Sequence, residues 1–247
     1  MRSFGFNKIK FQALNEMIES VQSHPAPSAS HIPSWYKQMR RYVGDSDKPI
    51  KSLGAKDLKT CFPFRDALLT GYFVLLPADL EVTISDSGQT DVWWNQSLPF
   101  ELVESRGSTL TETNQGFGMP VPHGCNPTMF AWRPFYSVGV DFSYSILVTH
   151  PLNRHDLPFV TTSGIMETAG IETMAGNIPF FFKEGFSGII PKGTPIAQII
   201  PFKRENWQSE ITPRIDDERK YQKLVALRDS YIEGFYGKFI RQPKVFK

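Results

Sequence analysis

Cysteine is scarce in this chain of 247 residues: Cys61 and Cys125 are the only two, and neither belongs to a Cys-x-x-Cys or comparable zinc spacing. A disulfide framework is thereby excluded, and the fold must rest on packing. Long apolar runs are also missing. None approaches the roughly 20 residues that cross a bilayer, and the amino end, MRSFGFNKIKFQ, lacks the continuous apolar segment of a secretory signal. A soluble intracellular chain with no membrane partner is expected. Internal repeats, low-complexity tracts and a complete catalytic signature are likewise lacking. The three glycines of GFSGIIPKGTP have neither the spacing nor the strand-loop-helix context of a phosphate loop, so they read as turns.

Aromatic residues, by contrast, are plentiful, with 20 Phe, 8 Tyr and 5 Trp in a chain that is 40% hydrophobic and 21% charged. Such a chain can bury a substantial core, and its length suits one elaborate domain or one domain with extensions. The net charge of +2 hides a division. Residues 1–60 carry 10 Lys/Arg against 5 Asp/Glu, residues 61–202 carry 6 against 13, and residues 203–247 carry 11 against 7. An acidic middle flanked by basic ends favours docking of the ends on the middle, of the same or a neighbouring copy. Nucleic acid is the weaker partner, because the last twelve residues offer only Lys238, Arg241, Lys244 and Lys247 and no recognisable module accompanies them.

Periodicity predicts mostly strands. The segment 8–14 alternates, and after a Pro/Ser linker Pro33 opens a short helix that Trp35, Tyr36 and Met39 can staple down. Residues 45–59 read as surface loop. Pro63 opens a helical turn that ends at Gly71, and strands follow at 72–76, 80–85 and 91–95, the last two joined by the Asp86-Ser87-Gly88-Gln89 turn. Because Trp93 and Trp94 are adjacent on a strand they point to opposite faces, one of them toward a partner or a second layer. Residues 105–127 hold little periodic signal and read as a long loop. Strands are expected again at 128–133, at 138–149 as one alternating strand, and at 160–168, 177–183, 188–190 and 195–202. The end differs. From Ile215 to Phe235, Tyr221, Leu224, Val225, Tyr231, Ile232 and Phe235 share one helical face, with Asp216, Asp217 and Glu218 in the first turn, where the helix dipole favours them.

Candidate chemistry is sparse. His150 and His155 flank Pro151 without the i, i+4 spacing that puts two metal ligands on one helix face, and THPLNRHDLPF reads as an ordered loop in which Asn153 and Asp156 make side-chain turns. His123 and Cys125 straddle a glycine with no third partner to orient a nucleophilic pair. Glu167 and Glu172 could serve acid/base chemistry only if a cleft joins them. Were the protein an enzyme, His123, His155, Asp156 and Glu167 would be its catalytic candidates, lining a pocket with the loop 105–127. No metal and no cofactor is expected. The carboxy-terminal Phe235, Tyr236, Lys238, Phe239, Arg241 and Phe246 are the candidates for partner binding, since a solvated tail would hardly carry so many aromatics.

The segments PSWYKQM, CFPFRDALLTGYFVLLPADLEV, FSYSILVTHPLNRHDLPFVTTSGIMETAGIETMAGNIPFFF and IIPKGTPIAQIIPFKRENWQSEI resemble, in order and over about residues 30–211, a family of uncharacterised proteins of bacteria and tailed phages, cyanophages above all. The resemblance implies a phage origin and no particular activity. The stretch SGIMETAGIETMAGNIPFFFKEGFSGIIPKGTPIAQII is similar to the closing half of dUTPases and dCTP deaminases, through Gly164 to Glu167 and through Gly193, Ile196, Ala197 and Gln198. That likeness implies a β-clip. It does not extend to the nucleotide-binding Tyr, the upstream Ser motif or the glycine-rich arm.

The expected molecule is mainly β, an antiparallel sandwich or β-clip-like body with a short amino-terminal helix and a carboxy-terminal amphipathic helix. Its expected parts are an extension at 1–60, a body at 61–211 and a helix and basic aromatic tail at 212–247. The residues favour a binding or assembly protein, homo-oligomeric or joined to another phage protein, in the host cytoplasm or the virion. An enzyme acting on a nucleotide or another small metabolite is the alternative.

Overall fold

The computed structural model describes residues 7–14, 16, 23–41, 57–94, 98, 101–133, 136–168, 177–211, 218–230, 239–242 and 245–246. The chain divides into two compact units, one of residues 1–28 and 71–204, the other of residues 29–70 and 205–247. The units cut across the boundaries at 60 and 211 expected from composition.

The first unit is built of antiparallel sheets. β1 (Lys10–Ala13) pairs with β8 (Tyr136–Gly139). β6 (Val103–Ser108), β7 (Cys125–Trp132), β12 (Ile178–Lys183) and β10 (Phe159–Thr161) form a sheet in the order β10-β12-β7-β6. A five-stranded sheet has the order β11-β9-β14-β3-β2, where β2 is Ala26–Pro27, β3 Tyr72–Leu75, β9 Tyr144–Thr149, β11 Gly164–Met166 and β14 Pro195–Lys203. The last sheet, β13-β4-β5, joins β13 (Gly188–Ile190), β4 (Leu80–Ile84) and β5 (Thr90–Trp94). All four sheets contribute to one apolar core, with Leu80, Val82, Phe130, Trp132, Val138, Ile146, Phe159, Phe180, Ile196 and Ile199 among its buried members. At its centre Trp132 stacks on Phe180 with centroids 3.7 Å apart and planes 6° from parallel, while Phe159 and Phe182 meet that pair edge-on. Aromatic pairs of this kind add about 0.5–1.5 kcal/mol each beyond the area they bury.

Three expectations change. The alternating run 138–149 is two strands in different sheets. The carboxylate of Asp141 accepts hydrogen bonds from the backbone N–H and the hydroxyl of Ser143, and the Tyr144 N–H bonds the Asp141 carbonyl, so a side-chain turn interrupts the period. The run 160–168 also divides, because Thr162 gives both its N–H and its hydroxyl to the Pro179 carbonyl and the chain then changes sheet. The long loop is shorter than its aperiodic sequence suggests, since β6 and β7 claim its two ends.

The second unit holds α1 (Ser34–Gln38), a 3-10 turn at Leu58–Thr60, α2 (Phe62–Leu69) and α3 (Glu218–Ser230). Pro63 occupies the first turn of α2, where its missing N–H costs nothing. Phe64 of α2 packs on Trp35 and Tyr36 of α1 at 6.4 and 6.1 Å, and the Tyr36 hydroxyl donates to the Lys59 carbonyl at 3.0 Å. The Lys59 ammonium in turn donates to the carbonyls of Lys37 and Met39, both at 2.6 Å, closing the end of α1. Of the amphipathic helix expected at 215–235, Ile215, Asp216, Asp217, Tyr231, Ile232 and Phe235 lie outside the described residues. Among the described residues no helix is long and apolar enough to cross a membrane.

Candidate functional site

The residues nominated for catalysis are each held in local structure. His123 is exposed in a turn, whereas Cys125, two residues on, is buried at the start of β7 beside Met129 and Phe181, and burial pushes its thiol up. The carbonyl of His155 accepts the Lys183 ammonium at 2.6 Å, and its ring is exposed. Asp156 clamps the buried Arg154 through two bonds of 2.9 Å, one from Nε and one from Nη2. Glu167 accepts the Ser145 hydroxyl at 2.9 Å and pairs with Arg204 at 2.7 Å. Glu172 lies outside the described residues.

The loop between β9 and β10 is an ordered piece of the body. Asn153 takes a left-handed conformation, φ +60°, and the fully buried Gln198 of β14 accepts the Leu152 N–H at 2.7 Å. His150 accepts the Thr161 N–H on Nδ1 at 3.2 Å and donates from Nε2 to the Arg154 carbonyl at 3.1 Å. Only the neutral ring with its proton on Nε2 satisfies both partners. Burial holds the His150 pKa below the ordinary histidine value; the Arg154 carbonyl opposes this, and nearby His155, Lys183 and Arg154 reinforce it. Among the described residues no group of three or more His, Cys, Asp or Glu comes together as a metal-ligand set.

Of the tail residues, Phe235, Tyr236 and Lys238 lie outside the described ones. Arg241 makes a two-pronged ion pair with Asp66 of α2, both bonds 2.8 Å, and this hydrogen bonding holds the Asp66 carboxyl below its usual range. The guanidiniums of Arg65 and Arg241 lie 4.7 and 5.1 Å from the Phe62 ring centroid. Phe246 and Gln242 line a cleft of about 380 Å³ with Pro63, Asp66 and Thr70. Phe239 is exposed.

The feature that stands out is the outer face of β13-β4-β5. Register places Ile189 opposite Glu81 and Glu81 opposite Trp93, so the three form one row across the sheet. The pleat sends Leu80, Trp94 and Ile190 of the neighbouring row into the core, which leaves Trp93 56% and Ile189 63% exposed. The adjacent row is Thr83 and Asp91. Strands β4 and β5 and their turns carry Asp79, Glu81, Asp86 and Asp91 and no Lys or Arg, with Lys192 following β13, so this face carries more acidic than basic groups around a large aromatic and an aliphatic. The doublet Trp93-Trp94 was the sequence signal for it. Ile189 gave none, because only the pairing of β13 with β4 brings it there. No family model and no curated protein matches the chain.

Proposed function

We propose that this chain is a non-catalytic binding and assembly protein that associates with further copies of itself, encoded by a tailed phage and working in the host cytoplasm or the particle. The observation that carries the reading is the Ile189–Glu81–Trp93 row, two large apolar side chains held exposed on a rigid sheet. Exposed aromatic groups on a well-packed scaffold are the anchors from which protein interfaces are made. The resemblance over residues 30–211 to proteins of tailed phages is the ground for the setting. Sedimentation equilibrium of the full chain, from low to high micromolar concentration, tests the reading. A mass above the 28.1 kDa of one chain that falls on dilution is expected; a single 28.1 kDa species throughout overturns it.

A further inference from the structure

Resting on that reading of the chain as a self-assembling protein, we propose that the apolar face of α3 from one copy docks on the outer face of β13-β4-β5 of a second copy. Helix α3 carries Tyr221, Leu224 and Val225 at i, i+3 and i+4, which places them on one face. A helix of ordinary globular structure buries such a stripe, yet Tyr221 is 52% and Leu224 47% exposed. The seven residues 205–211 that precede it are exposed throughout, Trp207 at 83% and Ile211 at 98%. Tyr221, Leu224, Trp207 and Ile211 thus leave large apolar surface in solvent.

Charge chooses the occupant. Helix α3 has four Lys/Arg (Arg219, Lys220, Lys223, Arg228) against Glu218 and Asp229, while the sheet face and its turns carry Asp79, Glu81, Asp86 and Asp91 against Lys192. Summed over the units the same contrast holds. Residues 1–28 and 71–204 carry 10 Lys/Arg against 14 Asp/Glu, and residues 29–70 and 205–247 carry 17 against 11. The sheet thus offers an apolar pair around a carboxylate within a basic-poor surface, and the helix offers an apolar stripe within a basic one. A second copy supplies both complements at once.

Full-length variants test this in sedimentation velocity over a dilution series. Trp93→Thr keeps a strand former at an exposed position, and Tyr221→Gln/Leu224→Gln keeps helix formers in α3. Each variant is expected to raise the dissociation constant at least about tenfold, the scale of an interface anchor. Leu110→Ser, which removes an exposed apolar residue of the loop after β6, should leave it unchanged. Mixing the Trp93 variant with the α3 variant should restore association, because one intact sheet then meets one intact helix. If wild type associates while the α3 variant behaves like it, or the mixture behaves as its separate components, the docking is overturned and the assembly reading survives. If wild type is monomeric throughout, both fall.

Discussion

Thr161 shows how much one hydroxyl can hold. It accepts the Trp132 indole N–H at 3.3 Å and donates to the Ile196 carbonyl at 2.6 Å, which ties β10 to β7 of its own sheet and to β14 of the five-stranded sheet. Thr161→Val keeps the shape and strands a donor and an acceptor in a dry core, each worth about 1–3 kcal/mol when left unmet. A loss of that order in chemical denaturation is expected, with an unchanged denaturant slope. His150 gives a pH-dependent counterpart. Because its folded pKa lies below the ordinary value of 6.5, the unfolded chain takes up its proton first as pH falls. The stability His150 contributes is full above about pH 6.5 and is lost as pH drops through the folded value. Gln at 150 can offer a donor and an acceptor without titrating, so His150→Gln should flatten the fall in melting temperature between pH 7.5 and 5. An equal fall in both proteins would show that the ring does not titrate with unfolding.

Among the elements, the strands are the part best written in the sequence, and their sheet membership the part least written. The alternation of 138–149 is real on either side of Asp141, but the period cannot say that β8 pairs with β1 and β9 with β14. The loop 105–127 lost its ends to β6 and β7 because strands such as VESRGS, polar and glycine-bearing, are held by neighbours rather than by their own propensity. The tail segment around Arg241 is an element of another kind, without a regular core of its own and fixed to α2 by the Asp66 fork and the Phe62 ring. The pair is partly exposed, so it is worth under about 1 kcal/mol. Local protection is therefore the quantity to measure. Arg241→Met should raise hydrogen exchange at 239–246 while leaving β7 and β12 unchanged. Lys at 241 should recover only part of the protection, since a point charge cannot make the two parallel bonds. Wild-type exchange in Arg241→Met would show that Phe246 alone seats the tail.

For the whole molecule, the acidic middle and basic ends were visible as a count along the chain, and the folded chain keeps the contrast in a milder form, as two units of −4 and +6. Their membership was not visible, because only the tertiary structure gathers 29–70 with 205–247. If those charges steer association between copies while Trp93, Ile189, Tyr221 and Leu224 supply most of its energy, salt and truncation must act differently. Raising ionic strength from about 0.05 to 0.5 M shrinks the screening length from roughly 14 to 4 Å. The steering then weakens, and the association rate should fall by about tenfold or more. Dissociation, governed by the buried apolar contact, should change little. Trp93→Thr should show the reverse, a faster dissociation with the salt dependence of the association rate intact. Stopped-flow dilution and mixing at two salt concentrations separates the terms. A dissociation rate that climbs with salt as steeply as the association rate falls would place the binding energy in the charges rather than in the apolar row.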